Sequence, residues 1–137
     1  MKIGRYIFLF VTVCTFLIPD NSHACTTFCF EHKGEWIYGR NYDWTIERCL
    51  IVVNKRGAAK TAWTQDNPAQ WVSKYGSVTF NQYGREFPLG GMNEAGLVIE
   101  CMWLEHTEYP HIDARKGLSD LQWIQYQLDN FATVDEV

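Results

Sequence analysis

Residues 22–30 read SHACTTFCF, and they set where the folded chain starts. Ahead of Cys25 come a positively charged start (Lys2, Arg5), an apolar run from Tyr6 to Ile18, and a polar PDNSHA stretch. Small residues at Ser22 and Ala24 stand where a signal peptidase requires them, so 1–24 reads as a secretory signal and 25–137 as the mature chain. The apolar run is shorter than the ~20 residues that span a bilayer. A retained N-terminal anchor is the alternative. Export to the periplasm or the extracellular space is the expectation. What folds afterwards carries a cysteine as its first residue. Such a cysteine can be a lipid anchor, half of a disulfide, a metal ligand or a nucleophile.

Removing Lys2, Arg5 and Asp20 with the leader moves the formal charge from −4 to −5. No basic run or basic–aromatic stripe remains, which argues against nucleic acid as a partner. Nothing after residue 24 is apolar for long enough to cross a membrane. The mature 113 residues suffice for one small core. Cys25, Cys29, Cys49 and Cys101 are an even set in an oxidising compartment, so two disulfides are the plain structural reading. A zinc site is the weaker reading. Cys25-x3-Cys29 has no second pair at ligand spacing, and His32, His106 and His111 form no motif. No metal or cofactor is expected.

Along the chain, CTTFCFEH, a Lys33-Gly34-Glu35 turn and WIYGRNYDW read as a hairpin with Cys25 opening its first strand. CLIVVNKRG is a third strand closed by Gly57. Residues 58–76 are mixed, with Asn67-Pro68 as a turn signal. SVTFNQY (77–83) alternates as a strand, PLGGMNEAG reads as a turn, and LVIECMWLE as a strongly apolar strand. From Gly117 the period becomes helical: Leu118, Leu121, Ile124, Leu128 and Phe131 form one stripe, with Ser119-x-x-Gln122 as a capping box. Thr133-Val-Asp-Glu136 reads as a second capping box one residue before the end, which suggests a truncated chain. Strands first and helices after predict an α+β fold.

A cysteine freed as residue one carries its own base. Its α-amine titrates near ~7.7–8.0 and lies within reach of its sulfur, directly or through a water. Cysteine also needs less activation than serine, with a reference pKa of ~8.5. Lipidation is the closest rival, but its cleavage box favours a Leu-like residue at −3, where this chain has Ser22. A thiolate nucleophile needs a cation to favour it and an anion to hold the amine. GRNYDW supplies Arg40 and Asp43, which can address one point if the backbone turns at Asn41-Tyr42. Asn93, ahead of a glycine-rich bend, is read as a turn residue and left out of the catalytic set.

Cys25-Thr26 after the cut, GRNYDW (39–44), VVNKRG (52–57), GMNEAGL (91–97) and LQWIQYQLDNFATVDEV (121–137) together resemble the choloylglycine hydrolase family, which holds bile salt hydrolases and penicillin V acylases. The five blocks stand in the family's order across the whole mature segment. The resemblance implies a four-layer αββα N-terminal nucleophile hydrolase sandwich, of which this chain would be the N-terminal part. It implies hydrolysis of linear C–N amide bonds in a small-molecule acyl amide, without a cofactor. It makes Cys25 the nucleophile, Arg40 the residue steering thiolate charge and Asp43 the partner of the α-amine. Where many bile salt hydrolases carry an oxyanion-hole asparagine, this chain has Trp103, whose backbone N–H can still donate. With Trp44 after Asp43, the chain is similar to the branch that includes penicillin V acylases and acyl-homoserine lactone acylases. Plain core packing is the other reading of both indoles. A homo-oligomer is compatible with the resemblance, and a fragment of this length is expected to be inactive alone. The rival reading is a lipid-anchored or disulfide-stabilised envelope binding module with Cys25 chemically silent.

Overall fold

A computed structural model describes residues 25–44, 46, 48–102, 104, 106–109, 111 and 113–137. The leader at 1–24, Trp103 and Glu105 lie outside the described residues.

Strands β1 (Thr26–His32) and β2 (Glu35–Asn41) form an antiparallel two-stranded sheet. Lys33 and Gly34 join them with φ of 54° and 82°, the left-handed geometry that a two-residue hairpin needs. The pairing runs from His32↔Glu35 at the turn to Thr26↔Asn41 at the far end. Cys25 therefore stands one residue before the last pair. One face of the hairpin carries Thr27 and Cys29 opposite Arg40 and Tyr38.

A four-stranded antiparallel sheet follows in the order β3-β6-β7-β8, from β3 (Leu50–Asn54), β6 (Ser77–Asn81), β7 (Pro88–Asn93) and β8 (Val98–Glu100). Between β3 and β6, the mixed stretch contains a small hairpin of β4 (Ala59–Thr61) and β5 (Gln70–Val72). Asn67 and Pro68 lie in its connection, where the sequence placed a turn.

Two expectations need correction here. PLGGMNEAG is not one turn. Pro88–Asn93 is strand β7, paired on both sides, and the chain turns only at Glu94–Gly96. The glycines that suggested a bend serve close approach instead. A Cβ on Gly91 would press on the Val78 carbonyl, and one on Gly90 would overlap the Glu100 carboxylate. The strand read in LVIECMWLE is also shorter, ending at Glu100.

The helical segment opens with a 3₁₀ turn at Asp120–Gln122 and continues as α1 (Trp123–Asn130). Ser119 precedes it without capping through its side chain, so the expected box does not form. Gln122 turns away to accept from the Trp63 N–H at 2.5 Å. The second box does form, with the Glu136 carboxylate accepting from the Thr133 N–H.

Helix α1 packs Ile124 and Leu128 on Leu97, with Ile99 and Phe131 at the margin. Burying each such side chain contributes roughly 1.5–3 kcal/mol. Buried Asn93 locks this contact. Its Nδ2 donates to Leu128 O and Phe131 O at 2.9 and 2.7 Å, and its Oδ1 accepts from the Ala95 and Leu97 N–H groups. Both donors and both acceptor sites of the amide are used, as expected of a structural turn residue. The opposite sheet face shows Ile51, Val53, Val78, Phe80 and Met92, with Ile51 and Val53 each 70 % exposed. Strand β6 thus turns polar Ser77, Thr79 and Asn81 inward and its apolar residues outward.

Candidate active site

The site grows from the open end of the β1–β2 hairpin. Cys25 is half-buried there, and its thiol donates a long, weak bond to the backbone oxygen of Asp43 at 3.9 Å. That contact requires the chain to leave its pairing after Asn41, and β2 ends at that residue. The Asp43 carboxylate accepts from Asn41 Nδ2 at 2.9 Å, which fixes it at the same corner. Tyr42 stands between them, its hydroxyl donating to Gln82 Oε1 at 3.0 Å. Gln82 in turn donates to Ile46 O at 2.6 Å, so the loop after β6 supports the corner.

Arg40 points elsewhere. Its guanidinium reaches from β2 to β7 and β8, where Nη1 donates to Leu89 O at 2.9 Å and to the Glu100 carboxylate. Nη2 donates to Cys101 O at 3.3 Å. The side chains of Arg40 and Glu100 are 11 % and 8 % exposed, so this is a buried ion pair and not a solvated surface charge. The guanidinium carbon lies 4.7 Å from the centre of the Tyr42 ring. Burial pushes the Glu100 carboxyl above the usual carboxylate range, although Arg40 pulls the other way. Burial also raises Tyr42, with Tyr83, Cys25 and Cys101 adding to the effect and Arg40 opposing it. Tyr42 therefore feels both the thiol and the guanidinium.

Cys25 and Asp43 thus meet at one corner, while the Arg40 guanidinium is held on the neighbouring sheet. Trp44 follows Asp43 at the surface, 41 % exposed. All four cysteines among the described residues are free thiols, so the pairing read from their even number is not present there. Sequence reasoning missed Glu100 and Gly90. The available signal was one acid inside the apolar run LVIECMWL, since an acid is rarely buried without a partner. A groove lined by Val53, Arg56, Met92 and Glu94 opens at the other end of the sheet and does not include Cys25.

Comparison with known proteins agrees with this arrangement of strands. The sequence pattern of the linear amide C–N hydrolases, choloylglycine hydrolase family, matches residues 25–137. A penicillin V acylase of Pectobacterium atrosepticum is 36% identical over 126 residues, which is 84% of this chain and 34% of that protein. The solved structure of penicillin V acylase from Agrobacterium tumefaciens superposes with a TM-score of 0.71 at 36% identity, covering 80% of this chain and 35% of that one. The chain spans about a third of the length of these relatives. At that identity the likeness extends to the α+β N-terminal nucleophile hydrolase fold, an αββα sandwich to which these sheets and α1 correspond. The chain belongs to the choloylglycine hydrolase family of linear amide C–N hydrolases.

Proposed function

We propose that the protein hydrolyses linear acyl amides with Cys25 as nucleophile, after removal of residues 1–24 frees its α-amine. The observation that carries this reading is the position of Cys25 at the open end of β1, its thiol 3.9 Å from Asp43 O and two residues ahead of Thr27, the register partner of Arg40. The α-amine takes the thiol proton, and the thiolate attacks the amide carbonyl to form a C–S bond. As the C–N bond breaks, the leaving amine takes a proton from the α-ammonium. Water then releases the acid and restores the thiol. Asp43 holds the α-ammonium, Arg40 stabilises the thiolate, and the Trp103 N–H stabilises the oxyanion.

The relatives, both of them penicillin V acylases, support an acyl amide of that kind as the first candidate substrate. The indoles of Trp44 and Trp103 suit an aryl-acetyl or a long acyl chain. Acyl-homoserine lactones form the second candidate class, because two indoles suit a long apolar acyl chain equally well. Release of amine from penicillin V, acyl-homoserine lactones and conjugated bile salts, measured on a protein of the relatives' full length that carries these residues and on its Cys25→Ala variant, tests the proposal. Turnover of penicillin V that vanishes in Cys25→Ala supports it. Undiminished turnover in that variant contradicts it. Intact mass separates this reading from a lipid-anchored module, which would carry a diacylglycerol adduct on Cys25.

A further inference from the structure

Arg40 sits on the nucleophile's hairpin, yet its acceptors lie on another sheet. Leu89 O is in β7, the Glu100 carboxylate ends β8, and Cys101 O follows it. Glu100 is the one charged group among these acceptors. It is also an unfavourable residue for its place. Its neighbours Val98 and Ile99 are apolar, and burial disfavours its ionised form. Across the β7–β8 pairing stands Gly90, where any Cβ would overlap the carboxylate. A buried acid and a bare position beside it thus serve a single bond, the one to Arg40. Tyr42, stacked against Arg40, is followed by Asp43, whose backbone oxygen accepts from the Cys25 thiol.

We propose that Glu100 is a positioning residue of the active site: it clamps the Arg40 guanidinium beside the strand that Cys25 opens, and Gly90 stays bare to admit its carboxylate. The inference rests on the roles of Cys25 and Arg40 given above. Leu89 O and Cys101 O complete the clamp from the backbone, so Glu100 is its one side-chain acceptor, and the length of that side chain sets where the guanidinium is held. Tyr38 lies on the same face as Arg40 and feels both Glu100 and Arg40, which places it at the clamp's edge.

The test is the pH dependence of alkylation by iodoacetamide, read cysteine by cysteine from peptide masses, in the protein beginning at Cys25. Exposed Cys49 serves as the internal reference. Arg40→Gln should raise the Cys25 midpoint by about one pH unit, the usual effect of removing a nearby opposite charge. No shift in that variant contradicts the role of Arg40 itself, whatever Glu100 does. Given the shift, Glu100→Asp keeps the negative charge but withdraws it by one methylene. The Cys25 midpoint should then rise at least half as far as in Arg40→Gln, with Cys49 unmoved. Glu100→Gln keeps the length and an accepting oxygen, so its midpoint should stay at the wild-type value or fall. A purely structural Glu100 would move both cysteines or neither. A wild-type midpoint in Glu100→Asp beside a shifted Arg40→Gln overturns the proposal. So does a Glu100→Gln midpoint that matches Arg40→Gln. If Glu100→Asp fails to fold, Gly90→Ala displaces the carboxylate with Glu100 intact and is read in the same way.

Discussion

The Cys25 thiol meets Asp43 through the backbone oxygen of that residue, while the Asp43 carboxylate is held by Asn41. The two halves of Asp43 can therefore be separated by mutation. Asp43→Asn leaves the thiol's neighbour in place and removes only the charge offered to the α-ammonium. In a protein of the relatives' full length, steady-state kinetics should show kcat lowered by roughly 10- to 100-fold, with KM changed by less than about 3-fold. A raised KM with unchanged kcat would instead make Asp43 a substrate-binding residue.

Lys60 and Asp129 form a second buried pair, with Nζ and Oδ2 2.9 Å apart and side chains 5 % and 0 % exposed. Trp71 Nε1 donates to the same carboxylate at 2.7 Å and Gln125 Nε2 at 2.9 Å. The cluster ties the β4–β5 hairpin to α1. Asp129→Ala strands the Lys60 charge and the Trp71 N–H, and urea denaturation should show a loss of about 3–5 kcal/mol. Lys60→Met combined with Asp129→Leu should recover most of that loss. A cost below about 1 kcal/mol for Asp129→Ala would show that the pair is not buried in solution.

The raised pKa of Glu100 sets the sign of a stability change with pH. The folded state binds that proton more tightly than the unfolded chain, whose carboxyl titrates near ~4.3. The contribution is therefore fully present below that pH and is lost as pH rises through the elevated folded value. Thermal unfolding of wild type and Glu100→Gln should diverge over this window, with wild type losing more stability as pH increases. Parallel curves would contradict the buried placement of Glu100.

Much of this was legible locally. Alternation and the Lys33-Gly34 turn define the first hairpin, and counting its register places Cys25 near the Arg40–Asp43 corner. The remainder depended on contacts between distant residues. Arg40 and Glu100 are 60 positions apart, so no local pattern joins them. Gly90 and Gly91 resemble turn residues until the groups pressing on them are known. Gln122 had a local cap to make and instead took the Trp63 N–H, 59 residues away. Strand β6 shows why alternation gives a period but not a direction: its apolar face is the open one.

The central claim is that Cys25 is a free N-terminal nucleophile. In a protein of the relatives' full length, brief mixing with penicillin V, acid quenching and peptide mass spectrometry test it directly. The N-terminal peptide should start at Cys25 and carry the phenoxyacetyl group as a thioester, with Cys29, Cys49 and Cys101 unmodified. Protein that turns over substrate while retaining residues ahead of Cys25, or an acyl group found on another side chain, would contradict it.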